Sequence, residues 1–193
     1  MQIMRLTAWA VVALALAGRV DAEGLPNEPG PARTVKMFDT FCLNLLPDIS
    51  RIAEIAAAGS FTELKGNKLK KYQPQVRAEE LRAWSYEDFG SEFVLATVRS
   101  KPDALIKKEV PQFADSKIFA CSLLIPAKED KAKVLKKMGG LVERDPDEVW
   151  NEGPFRVHSW AGQTDSLLIL VYFYAPIKKG QHGVLSATTF VKN

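Results

Sequence analysis

Two cysteines, Cys42 and Cys121, constrain this chain more than any other feature, because they lie in stretches of different periodicity. Around Cys42, in KMFDTFCLNLLPD, the residues Val35, Phe38, Phe41, Cys42, Leu45 and Leu46 fall largely on one side of a 3.6-residue repeat, which predicts a helix. Around Cys121, in KIFACSLLIPA, Phe119, Cys121, Leu123 and Ile125 alternate with Ala120, Ser122 and Leu124. That pattern predicts a strand with Cys121 on its more apolar face. Each sulfur is therefore expected to point into a core, one from a helix and one from a sheet. A bond between them closes a loop of about 80 residues and restricts the unfolded chain by about 4.5 kcal/mol, comparable with the net stability of a small domain.

Pairing requires an oxidising compartment, and the N-terminus predicts one. Arg5 precedes an apolar run, Leu6 to Ala17, too short to span a bilayer, and Val20-Asp21-Ala22 supplies a small-x-small cleavage pattern. The expectation is a signal peptide over residues 1–22, cut before Glu23, and a chain exported to the periplasm or secreted. No cysteine stands at the cleavage region to carry a lipid, and no later run has membrane-spanning length. In such a compartment Cys42 and Cys121 are expected to form a structural disulfide. A reactive thiol needs a base, and the chain has two histidines, His158 and His182. A structural zinc site prefers four Cys/His ligands, and neither CxxC nor HxxxH spacing occurs, so no metal is expected.

Residues 23–33, EGLPNEPGPAR from Glu23, read as a flexible lead-in to a single domain over 34–193. A helix is expected from Thr34 to Leu46, and a second in PDISRIAEIAAAG, with Ile49, Ile52, Ala53 and Ala56 as its stripe and Gly59 as its end. The polar stretch from Leu64 to Gly90 reads as a long excursion with one helical turn, long enough to be a functional loop. Strands are expected at EFVLATVRS, KIFACSLLIPA, FRVHSWA, SLLILVYFYAP and GVLSATTFV. A middle helix, KEDKAKVLKKMGG, is expected to bury Ala132, Val134, Leu135 and Met138 and to stop at Gly139-Gly140. The fold class is α+β: a mainly antiparallel sheet of about five strands, packed by two N-terminal helices and one middle helix, in the order α-α-β-β-α-β-β-β.

Chemistry is sparse. Arg156, His158 and Trp160 share one face of a strand, where a cation, an imidazole and an indole could grip an anionic or aromatic ligand. Lys65, Lys68, Lys70 and Lys71 with Tyr72 form a basic loop suited to an acidic partner or to headgroups. The acidic run with Glu143, Asp145, Asp147, Glu148 and Glu152 lacks the EF-hand spacing and reads as a solvated turn. GxSxG, GxxxxGK[ST] and HExxH are absent, which weighs against an enzyme, and no cofactor is expected. The net charge is +3, and removing Arg5, Arg19 and Asp21 lowers it by one unit, weak for a nucleic-acid binder. The expectation is a non-catalytic exported binding protein that recognises a macromolecular partner, another protein or an envelope component, as an inhibitor, immunity factor or envelope accessory protein does. The alternatives are a small-ligand-binding protein or hydrolase using Arg156, His158 and Trp160, and a structural homo-oligomer packed through SLLILVYFYAP.

Overall fold

The computed structural model describes residues 25–72 and 78–192. The expected signal peptide and residues 73–77 of the polar excursion lie outside them. Helix α1, Pro31–Phe38, begins before the expected Thr34, because Pro31 occupies the first helical turn, where its fixed φ and missing N–H do no harm. Before it, Leu25 packs against the core and the Arg33 guanidinium donates to the Pro26 carbonyl. The helix widens into a π-helical turn over Asp39–Leu43, which carries Phe41 and Cys42 inward. Helix α2, Ile49–Ala58, starts at Asp48, whose Oδ1 accepts the Arg51 N–H at 3.0 Å. Its Ile49, Ile52, Ala53 and Ala56 stripe is buried, as the spacing predicts.

The sheet has eight strands, where the sequence predicts about five. They are β1 (Thr62–Glu63), β2 (Ala78–Asp88), β3 (Ser91–Ser100), β4 (Lys117–Ile125), β5 (Glu148–Glu152), β6 (Phe155–Gln163), β7 (Leu167–Pro176) and β8 (Gly183–Val191). The spatial order is β1-β2-β3-β4-β8-β7-β6-β5, with each pairing antiparallel. Two meanders of four strands thus meet at the β4–β8 seam. The described helices also exceed the expected three, since short α3 (Asn67–Lys70) and α4 (Ala104–Glu109) join α1, α2 and α5 (Lys131–Val142).

The unexpected strands have physical reasons for being hidden. β2, AEELRAWSYED, uses helix-favouring Ala, Glu, Leu and Arg, and its period of two is masked because charged side chains occupy both faces near the sheet margin. β5, EVWNE, is exposed along its whole length, so burial imposes no alternation on it. Helix α5 also departs from expectation. It continues through Gly139 and Gly140 to Val142 and leaves Ala132 exposed, although glycine inside a helix costs about 0.5–1 kcal/mol relative to alanine.

One sheet face is covered over its central strands. Trp84, Leu95, Leu123, Leu185 and Phe173 stand in register across β2, β3, β4, β8 and β7 and are buried beneath α1, α2 and α5. In the adjacent row Cys121 bonds Cys42 of the π-helical turn, with the Cα atoms 5.3 Å apart. At the layer's margin Arg33 binds Asp88 of β2 through Nε–Oδ2 at 2.6 Å and Nη2–Oδ1 at 2.9 Å, a bidentate pair that ties α1 to the sheet. The opposite face is covered only in patches. Leu64, Leu69 and Tyr72 pack over Ala83 and Val94, while Phe113, Ile106 and Val110 pack over Ile118, Leu168 and Phe190.

The bond spans 79 positions of chain. Replacing both cysteines with serine is expected to lower the unfolding free energy by about 3–4 kcal/mol, read by chemical denaturation. Reductant should reproduce that loss in the wild type and change nothing in the double variant. Equal stability of the two proteins under oxidising conditions contradicts a stabilising link.

Candidate functional site

Alternation along β6 puts Arg156, His158 and Trp160 on the helix-facing side of the sheet, as the sequence implies, yet their environments differ. Trp160 is buried, and its Nε1 donates to the Arg144 carbonyl at 3.3 Å. His158 is 8% exposed and continues the apolar row, with Phe173 on one side and Val149 of β5 on the other. Its ring stacks on Phe173 at 6.2 Å between centroids, and its Nδ1 is buried with no hydrogen-bond partner among the described residues. Arg156 is exposed and does not border the cleft in which the other two meet.

That cleft, about 620 Å³, lies where α5 faces the outer strands β5 and β6. Leu135, Gly139, Pro146, Val149 and Trp160 supply apolar wall, and Lys136, Arg144, Asp145 and His158 supply polar groups. Its rim is latched. Arg144 Nη1 donates to Asp147 Oδ1 at 3.0 Å and Nη2 donates to the Ala161 carbonyl, while Asp147 Oδ2 accepts the Ala161 N–H at 2.7 Å. The acidic run is therefore more than a solvated turn: Asp147 fastens the connection after α5 to the end of β6. Asp147 N–H also donates to the Ser159 carbonyl at 2.8 Å. Burial, and then the nearby Arg156 charge, hold the His158 pKa below its ordinary 6.5, so the ring is neutral at neutral pH.

A second concavity, about 330 Å³, lies on the partly covered face. Cross-strand rows supply a floor of small side chains, Ala96, Ser122 and Ser186 in one row and Ala120 and Thr188 in the next. The Ser122 and Ser186 hydroxyls lie 2.9 Å apart. Tyr72, just after α3, closes one side, and Ile106 of α4 closes the other. Burial, with help from Glu92, raises the Tyr72 pKa. Lys65 sits 3.9 Å from Glu63, whereas Lys68, Lys70 and Lys71 are exposed and have no ion pair among the described residues. Farther along this face Trp150, Tyr172 and Tyr174 form an aromatic strip, with Trp150 edge-on to Tyr172 and the two tyrosines tilted, and burial followed by Glu152 pushes the Tyr174 pKa to about 12.

The structure thus joins His158 to Trp160, leaves Arg156 apart, and joins Tyr72 to the groove that the lysines flank. Sequence reading missed Lys136, Gly139 and Arg144, whose one signal was a glycine pair inside an otherwise regular helical pattern. It also missed the hydroxyl floor, because Ser122 and Ser186 meet only through the β4–β8 pairing. The His182 ring is engaged structurally, with Nδ1 donating to the Ile125 carbonyl at 3.2 Å. Among the described residues no group of three or more His, Cys, Asp or Glu side chains is placed to hold a metal ion, and no helix is long and apolar enough to cross a membrane. Comparison with protein families, curated proteins and solved structures finds no match.

The His158 shift has a sign that can be checked. The unfolded ring takes a proton near its ordinary pKa and the folded ring only at lower pH, so acidification below about 6.5 favours unfolding and the effect vanishes above it. A His158→Phe variant keeps the stacking and loses the proton. Between about pH 7.5 and 5 its unfolding free energy should rise relative to wild type, because only the wild type loses this component. A difference that stays constant over that range contradicts the assignment.

Proposed function

We propose that this chain is an exported, non-catalytic binding protein that holds an acidic segment of a partner protein over the groove between α3 and α4. One observation carries the reading: two short lysine-bearing helices straddle the uncovered part of a sheet whose other face is covered by helices over its central strands. α3 and its end present Lys68, Lys70 and Lys71, and α4 presents Lys107 and Lys108, all exposed and none ion-paired among the described residues. The same helices turn Leu69 and Ile106 toward the sheet, so cationic rims flank an apolar floor with hydroxyls at its centre. Such a surface suits a segment that inserts one apolar side chain and sets its carboxylates against the rims.

The way the reactive side chains among the described residues are engaged supports binding over catalysis. The sulfurs are consumed in the disulfide, His182 is bonded to a carbonyl, and no carboxylate hydrogen-bonds the His158 ring among the described residues. Export is supported by the order of charge, apolar run and small residues at the N-terminus, together with the oxidised cysteine pair. The apolar strand β7 lies between β6 and β8, with Val171 and Phe173 buried on the helix side and Leu168 buried under the α4 patch.

A photo-crosslinking side chain at Tyr72 should capture one defined partner from extracytoplasmic material of the source cells. With Lys65, Lys68, Lys70 and Lys71 changed to serine, affinity for that partner should fall at least about tenfold, and binding should weaken with salt. Equal capture by both proteins, independent of ionic strength, would remove this groove from the account.

A further inference from the structure

The cleft between α5 and strands β5 and β6 lies away from the groove over β3, β4 and β8, and three of its features lack a structural reason. First, Gly139 sits inside α5 on the cleft wall, and a β-carbon there meets only the Arg144 carbonyl, at 3.8 Å. Packing therefore leaves room for a side chain, yet the helix carries the residue that weakens it, and the effect of that choice is an open cleft. Second, His158 is more than nine-tenths buried in an otherwise apolar row, and its Nδ1 has no partner among the described residues. A buried ring nitrogen is ordinarily hydrogen-bonded, and even the exposed His182 has its Nδ1 on a carbonyl. Third, Lys136 is an exposed cation on the lining with no ion pair among the described residues.

We infer that this cleft is a binding site for a small carboxylate with a compact apolar body. Its volume, about 620 Å³, lies within the roughly 300–1,000 Å³ usual for small-ligand sites. Leu135, Val149, Pro146 and Trp160 receive the apolar body. The carboxylate faces Lys136 in a charge-assisted pairing and lies against the part of the His158 ring that borders the cleft. Arg144 is neutralised by Asp147, so the preference for an anion over a cation of the same shape rests on Lys136. The latch through Asp147 and Ala161 holds the wall in place before the ligand arrives. No bond is made or broken: the site recognises, and its ligand is independent of the partner over the other face.

The two histidines give a direct readout on the full mature chain labelled with ¹⁵N-histidine, using phenylacetate as the anionic probe and phenethylamine as its cationic counterpart. Phenylacetate should move the His158 ring signals saturably, with a dissociation constant of about a millimolar or tighter, and leave His182 unmoved. Phenethylamine should bind at least about tenfold more weakly. Gly139→Leu, which fills the cleft, should abolish the response, and Lys136→Glu should weaken it by about tenfold or more, each with the unbound spectrum otherwise preserved. A His158 signal that phenylacetate leaves in place overturns the site. Equal response to the amine overturns its charge preference, and an unchanged response in Gly139→Leu overturns its location.

Discussion

The Cys42–Cys121 bond decides which side of the sheet is closed. It joins the π-helical turn after α1 to β4, one of the two strands at the seam between the meanders. With that point fixed, α1, α2 and α5 lie over the row from Trp84 to Phe173, and the Arg33–Asp88 pair pins the margin. An apolar face of this size sheds its water when the helices settle on it, and the covalent link limits the unfolded alternatives. What the helices do not cover is the groove on the far face and the cleft at the outer edge of α5, the two surfaces on which the proposed binding roles rest.

Both concavities arise from small side chains at chosen positions. On the far face, Ala96, Ala120, Ser122, Ser186 and Thr188 are too small to fill the space between the patches under α3 and α4. At the edge, Gly139 withholds a side chain from the space that Leu135, Val149 and Trp160 enclose. The sheet's outer strand also guards itself. β5 is an open edge, and Glu148 and Glu152 near its ends would face like charges in an antiparallel pairing of two copies, which discourages edge-to-edge association.

Periodicity and cysteine placement made the helix-side half of the fold legible. The Phe38–Cys42 stripe, the α2 stripe and the alternation through Cys121 all mark core positions, and core positions obey burial. Where burial is weak, the pattern fades: β2 runs along the charged margin and β5 is exposed throughout, so neither declares itself as a strand. The candidate sites were legible only in part. His158 and Trp160 could be paired by a period of two, and Tyr72 with its lysines by proximity in the chain. Arg156 was drawn into the same trio by that period, but a shared face does not fix depth, and Arg156 lies in solvent at one end of it. The Ser122–Ser186 pair, the Gly139 opening and the Arg144–Asp147 latch depend on strand order and helix placement, which no local pattern encodes.

The most direct test of this account is peptide mapping of the native protein recovered from outside the cytoplasm, with free thiols trapped at lysis. The account predicts a peptide containing Cys42 joined to one containing Cys121, and a chain that starts at Glu23. Recovery of both cysteines as trapped thiols, in a chain that still begins at Met1, would contradict it.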